Sequence, residues 1–142
     1  MNKEELAKRL YEISLVCFET GSPWKKEQFF SFLTQPFHHY VTVTEEDNII
    51  GFLLLTHLFE EAEIELIGVS PDYQRTGMGS KLLEKAKVLL ADTEAESIFI
   101  EVRKSNQKAQ QFYQKEGFTM IGERKQYYHH PKEDALIWQL RL

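Results

Sequence analysis

Ile64-Glu65-Leu66-Ile67-Gly68-Val69-Ser70-Pro71-Asp72-Tyr73-Gln74-Arg75-Thr76-Gly77-Met78-Gly79-Ser80-Lys81-Leu82-Leu83 holds a strand, a turn and the start of a helix. The run from Ile64 to Val69 is apolar and rich in branched residues, as strands are. Pro71 removes a backbone donor and restricts Ser70, so the strand ends there. Leu82, Leu83, Ala86, Leu89 and Leu90 then recur at helical spacing. At the mouth of that helix Gly77 and Gly79 bracket Met78. Glycine there lets backbone approach a ligand, the first turn offers unpaired N–H donors, and the helix dipole favours an anion. The expected occupant of this turn is a pyrophosphate.

Three phosphate-binding patterns compete for the stretch. A P-loop needs Gly-Lys-Ser/Thr after four intervening residues, which is absent. The dinucleotide fingerprint needs a third small residue where Leu82 stands, and it opens the first strand–helix unit of a domain. Here other strand-like runs come first. Gln/Arg-x-x-Gly-x-Gly/Ala remains, met by Gln74-Arg75-Thr76-Gly77-Met78-Gly79 after Val-x-Pro-x-Tyr. This pattern resembles the acetyl-CoA loop of the GNAT N-acetyltransferases. A ligand-free, glycine-softened turn is the plain reading of the same residues.

The chain has 142 residues, 42% of them hydrophobic and 27% charged, which is ordinary for a single soluble domain spanning residues 1–142. No apolar run approaches the ~20 residues needed to span a bilayer, and the first residues lack the apolar segment of a secretory signal. The single cysteine, Cys17, lies on an apolar helical run and reads as a buried small hydrophobe. A cytoplasmic protein is expected, with neither a membrane nor nucleic acid as partner. The net charge of −5 is uneven: residues 1–74 hold 5 Lys/Arg against 13 Asp/Glu, whereas residues 75–115 hold 8 against 5. Arg75, Lys81, Arg103, Lys104 and Lys108 fall in the positive segment and can assist a polyphosphate.

Helices are expected over residues 3–19, 25–34, from the glycine turn to about Ala91, and from Asn106 to Glu116, with Asn106 as N-cap and Gly117 as stop. Strands are expected at His39–Thr44, Ile49–Leu58, up to Val69, Ser97–Val102, Phe118–Tyr128 and Ala135–Leu140. Residues 59–62 and 129–134 read as connections. The first three strands are joined too tightly for crossovers and must be antiparallel neighbours, while the helix after Val69 makes a parallel unit with the strand at Ser97. The fold class is α/β, a mixed and mostly antiparallel sheet of about six strands flanked by about four helices. The five histidines show no metal spacing and read as loop residues; no metal is expected.

Ile100-Glu101-Val102-Arg103-Lys104-Ser105-Asn106 and Phe112-Tyr113-Gln114-Lys115-Glu116-Gly117-Phe118 form the second informative stretch. Ligands of open sheets sit at the carboxyl ends of diverging parallel strands, which is where Glu101 to Asn106 falls. Glu-Val-Arg-x-Ser-Asn with Phe-Tyr-x-x-x-Gly-Phe resembles GNAT enzymes of the ribosomal-protein N-terminal alanine acetyltransferase (RimI) type. Arg124-Lys125-Gln126-Tyr127-Tyr128, Glu133-Asp134-Ala135-Leu136 and Pro23-Trp24 extend the resemblance over roughly residues 23–142. It implies acetyl-CoA as cosubstrate. Backbone at Ile67, Gly68 and Val69 would hold the pantetheine arm, and Arg75, Thr76, Gly77, Met78, Gly79 and Ser80 the pyrophosphate. Asn106 and Tyr113 would complete the cofactor site, with Glu101 as general base, Tyr113 as general acid, and Tyr127 and Tyr128 gripping the acceptor. That group usually begins with a strand before its first helix; here a helical pattern starts almost at Met1, so the sheet should lack that edge strand.

The chemistry suits these residue types. A phenol is protonated at neutral pH and can give a proton to a leaving thiolate, and a carboxylate can take one from an ammonium, directly or through water. An α-amine is about 14% neutral at pH 7 against about 0.04% for lysine, which favours a protein N-terminus as nucleophile. The reading is therefore acetyl transfer to a primary amine by direct attack in a ternary complex, by a monomer or weak homodimer. Lysine, a polyamine or an antibiotic is the alternative acceptor, and a non-catalytic acyl-CoA-binding regulator the alternative class. Taken singly, Glu101 beside Arg103 reads as a surface ion pair, Tyr113 as a core residue, and Tyr127-Tyr128 as strand packing.

Overall fold

Branched and apolar segments separated by short polar turns give six strands in a single sheet, ordered β1-β2-β3-β4-β6-β5, in a computed structural model that describes residues 1–142. The elements run α1 (Lys3–Cys17), α2 (Lys26–Leu33), β1 (His38–Glu45), β2 (Asn48–Leu58), β3 (Glu61–Val69), α3 (Met78–Leu90), β4 (Ser97–Arg103), α4 (Gln107–Lys115), β5 (Thr119–His129) and β6 (Lys132–Arg141). A single 3₁₀ turn, Pro71–Tyr73, lies between β3 and α3. The first element is a helix, and the sheet has the six strands expected. No helix is long and apolar enough to cross a membrane. Two compact units are distinguished: Met1–His57 with Ile64–Thr93, and Leu58–Glu63 with Glu94–Leu142.

In the first unit α1 opens on Asn2, whose side chain accepts a hydrogen bond from Glu5 N at 2.8 Å. Its stripe of Leu6, Ala7, Leu10 and Ile13 packs with Phe29, Phe32 and Leu33 of α2 against Phe52 and Leu54 of β2. Trp24 seals this cluster, 5.2 Å from Phe29 and 5.5 Å from Phe32 between ring centres. The opposite face of β2 is covered by α3, where Leu82 reaches Gly51. Burial on both faces explains why Ile50 to Leu55 is uninterrupted apolar sequence rather than an alternation. β1 and β2 pair antiparallel from His38↔Thr56 to Glu45↔Asn48. Ser70 N–H donates to Ile50 O and Gly68 lies against Phe52. Residue numbers that fall on one strand as they rise on the other make β2 and β3 antiparallel as well.

In the second unit the start of β3 pairs parallel with β4, Glu61↔Ser97 to Glu63↔Phe99. β6 inserts between β4 and β5 and is antiparallel to both. Ile98, Ile100 and Val102 of β4 share a face with Leu140, Trp138 and Leu136 of β6. The end of α4 covers that face, since Gly117 approaches the Leu140 side chain. Gly117, at φ +96°, stops α4 as expected.

Three readings need correction. The connection expected at residues 59–62 is only Phe59-Glu60, with Phe59 in the left-handed region at φ +55°, and β3 already begins at Glu61. The connection expected at residues 129–134 is only His130-Pro131. Lys132 to Asp134 belong to β6, their polarity explained by carboxylates tied to neighbouring backbone and cations. The histidines are mostly strand residues: His38, His39, His57 and His129 lie in β1, β2 and β5. His38 stacks on Phe32 at 4.0 Å, a packing role that sequence spacing does not reveal.

Candidate active site

The strand that decides the fold also delivers the glycine turn. Ile67 and Val69 are half-buried at the end of β3, while Gly68 is buried. Gln74, the first residue of the glycine motif, donates from Nε2 to Val69 O at 3.0 Å and so closes the turn onto the strand. Tyr73 N–H donates to Ser70 O at 2.9 Å, the Tyr73 hydroxyl donates to the Glu45 carboxylate, and the Thr76 hydroxyl donates to Tyr73 O. Arg75 at φ +66° and Gly77 at φ +84° turn the chain into α3. A residue with a Cβ pays about 1–2 kcal/mol in that region, which glycine avoids. Around Gly77 the ground is open, with nothing within 4 Å of where a Cβ would stand. Lys81 N–H makes a helical bond to Gly77 O at 3.0 Å, so the amides of Met78 and Gly79 lie ahead of the helical ladder. Arg75, Thr76 and Lys81 are exposed, and Met78, Gly79 and Ser80 partly so. The arrangement is a short cradle of amides with two cations, suited to a diphosphate.

The second unit carries the groups expected to move protons. Glu101 projects from β4 on the face opposite Ile100 and Val102, with its side chain 19% exposed. Its Oε1 accepts from Arg124 Nη1 at 2.7 Å. The plain reading of Glu101 as a surface ion pair with Arg103 is met by a different cation: Arg124, on β5 one strand beyond β6, reaches across to it. Tyr113 is buried in α4 at 3% exposure, its ring edge-on to Phe112 and Phe118 at 5.1 Å each. Burial pushes its phenol well above the usual range, which keeps the proton on oxygen at neutral pH. Glu101 and Tyr113 thus belong to different sides of β4 rather than forming a contacting pair. Asn106 caps α4, its side chain accepting from Ala109 N at 3.2 Å.

Tyr127 and Tyr128 meet edge-on at 5.2 Å near the end of β5. Each ring lies under a guanidinium: Arg124 over Tyr127 at 4.4 Å and Arg103 over Tyr128 at 4.1 Å. Arg103 also donates to Glu133 Oε1, Pro131 O and His130 O, and Lys104 Nζ lies 3.9 Å from Glu123. These two cations, expected to assist a polyphosphate, are engaged with the β5–β6 hairpin. Arg75, Lys81 and Lys108 keep exposed charges. Cys17 is half-buried beside Gly68, and burial pushes its thiol up to about 11, so it is a packing residue. No group of three or more His, Cys, Asp or Glu is arranged to hold a metal.

The model of the acetyltransferase (GNAT) family matches residues 7–118. The chain belongs to the GNAT acetyltransferase family. The enzyme class follows with it: transfer of an acetyl group from acetyl-CoA to an amine. A ribosomal protein bS18-alanine N-acetyltransferase of Haemophilus ducreyi is 34% identical over 139 residues, covering 94% of this chain and 92% of that one. The N-alpha-acetyltransferase RimI of Mycobacterium tuberculosis is 32% identical over 133 residues, 91% and 82% of the two chains. Among solved structures, the ribosomal-protein-S18-alanine N-acetyltransferase of Escherichia coli superposes with a TM-score of 0.84 at 29% identity, covering 95% of this chain and 86% of that one.

Within this GNAT acetyltransferase, two side chains near the expected site did not stand out from the sequence. Gln74 was visible as the motif's first position, yet its bond to Val69 O depends on how the 3₁₀ turn folds back. Arg124 opens the Arg-Lys-Gln-Tyr-Tyr run, but nothing local to that run indicates a carboxylate 23 residues away.

Proposed function

We propose that the enzyme acetylates the N-terminal α-amine of a ribosomal protein, with alanine as the residue modified. The observation that carries this reading is 34% identity over nearly the full length of both chains with an enzyme named for that acceptor. In this reading Arg75, Thr76, Gly77, Met78, Gly79 and Ser80 bind the pyrophosphate of acetyl-CoA, and Ile67, Gly68 and Val69 offer strand backbone to the pantetheine arm. Asn106 contributes beside its capping role, and Tyr127 and Tyr128 hold the acceptor terminus. Acetyl-CoA supplies an activated acyl group as a thioester. Glu101 takes a proton from the acceptor ammonium, directly or through a water at Oε2, since Oε1 is held by Arg124. Tyr113, kept protonated by burial, gives its proton to the departing sulfur. An α-amine needs one modest base, because about 14% of it is already neutral at pH 7. The enzyme works in the cytoplasm as a monomer or weak homodimer.

The test is thiol release from acetyl-CoA with three acceptors: a lysine-free peptide with a free N-terminal alanine, an N-terminally blocked peptide with an internal lysine, and a polyamine. Selective turnover of the first is expected. Turnover of only the other two overturns the N-terminal assignment and leaves the acetyltransferase chemistry in place.

A further inference from the structure

Of the chain's charged side chains, Arg124 stands apart in joining the candidate base to the candidate acceptor platform. Its Nη1 donates to Glu101 Oε1 at 2.7 Å, and its guanidinium lies 4.4 Å over the ring of Tyr127. The Glu101 side chain is mostly covered, whereas that of Arg124 is half-exposed. A guanidinium presents its donors in a fixed plane, so a bond this short holds the carboxylate in one rotamer. It engages one oxygen and leaves Oε2 as the acceptor for an incoming proton. The other face of the guanidinium contact ties that carboxylate to Tyr127, which meets Tyr128 edge-on. Tyr128 is held in turn by Arg103, whose partners are Glu133 and the hairpin backbone. The charged and titratable groups that act on Arg124 are Glu101, Tyr127 on β5 and Glu63 on β3, while Glu101, Tyr127, Arg103 on β4 and Glu133 on β6 act on Tyr128.

We infer that Arg124 is a positioning residue for acetyl transfer, fixing the Glu101 carboxylate in register with the tyrosines that receive the acceptor. The inference rests on Glu101 being the base. Arg124 touches neither the sulfur nor the acyl carbon; it acts through Glu101.

The experiment compares Arg124→Gln, Arg124→Lys, Glu101→Gln and the double variant Arg124→Gln/Glu101→Gln. Steady-state rates are measured with acetyl-CoA and a lysine-free peptide bearing a free N-terminal alanine, alongside thermal unfolding of each protein. Arg124→Gln should lower kcat about 10- to 100-fold with the KM for acetyl-CoA unchanged. Arg124→Lys, or added guanidinium ion, should restore part of the loss. In the Glu101→Gln background the Arg124→Gln change should have no further effect, since its target is already gone. If Arg124→Gln lowers kcat by the same factor in both backgrounds, Arg124 acts elsewhere and the inference falls while the base assignment stands. Wild-type or raised kcat in Arg124→Gln also overturns it. Wild-type kcat in Glu101→Gln removes the base assignment, and the inference with it.

Discussion

Gly68 is the position where sequence and structure assign different reasons to one residue, and Gly68→Ala separates them. The sequence places Gly68 in the strand expected to lie along the pantetheine arm. In the fold, a Cβ on Gly68 would stand 2.9 Å from Phe52 Cε1, 3.2 Å from Phe52 Cζ and 3.3 Å from Cys17 Cβ. Phe52 is fully buried and meets Phe29 edge-on at 6.2 Å, so its ring has no free side to move toward. Overpacking of this kind costs about 1–3 kcal/mol. For a chain of 142 residues that is a fall in Tm of roughly 3–9 °C. The assay is thermal unfolding of wild type, Gly68→Ala, Phe52→Leu and the double variant. The smaller side chain should relieve the clash, so the double variant should be more stable than the sum of its parts requires. A Tm for Gly68→Ala within about 1 °C of wild type, or strict additivity in the cycle, would refute the packing argument. A raised KM for acetyl-CoA at unchanged Tm would instead return Gly68 to the ligand.

Tyr113→Phe keeps the ring contacts with Phe112 and Phe118, so its Tm should match wild type, while turnover should fall about 100-fold, far more than acetyl-CoA affinity; unchanged turnover removes the acid role. The β5–β6 hairpin predicts an acid sensitivity. Hydrogen bonding from Ser105, then the Arg103 guanidinium, holds the Glu133 carboxyl below its ordinary 4.5, and the Gln126 backbone N–H, then Lys125, holds Asp134 below 3.8. A folded pKa below the unfolded one stabilises above the ordinary value and is lost as pH falls through the lowered one. Tm should therefore drop as pH falls below the ordinary 4.5 and on through 3.8, less steeply in Glu133→Gln/Asp134→Asn; equal slopes would show that these carboxylates do not couple folding to protons.

Much of this enzyme is legible in local sequence. The helices α1 and α3 announce themselves through Leu6, Leu10 and Ile13 and through Leu82, Leu83, Ala86 and Leu90, each a stripe that buries one face. Asn106 and Gly117 bound α4 by local bonds and a left-handed backbone, both local effects. The connections were harder. Phe59 gives no turn signal, being an aromatic residue at positive φ, and Lys132-Glu133-Asp134 reads as a polar loop because its partners lie on other strands.

The sequence by itself determined the order and type of the elements, the glycine turn after β3 and the residue types able to move protons. These follow from periodicity, backbone restriction and local capping, which act over a few residues. Only the tertiary structure decided which groups meet. Across the β4-β6-β5 part of the sheet Glu101 pairs with Arg124 rather than with nearby Arg103, and Arg103 pairs with Glu133. The packing of β2 against β3 sets Gly68 against Phe52, and the docking of α4 buries Tyr113 on that helix. Such pairings depend on strand register, and register is set by which faces of the whole sheet are buried, a condition no short stretch of chain contains.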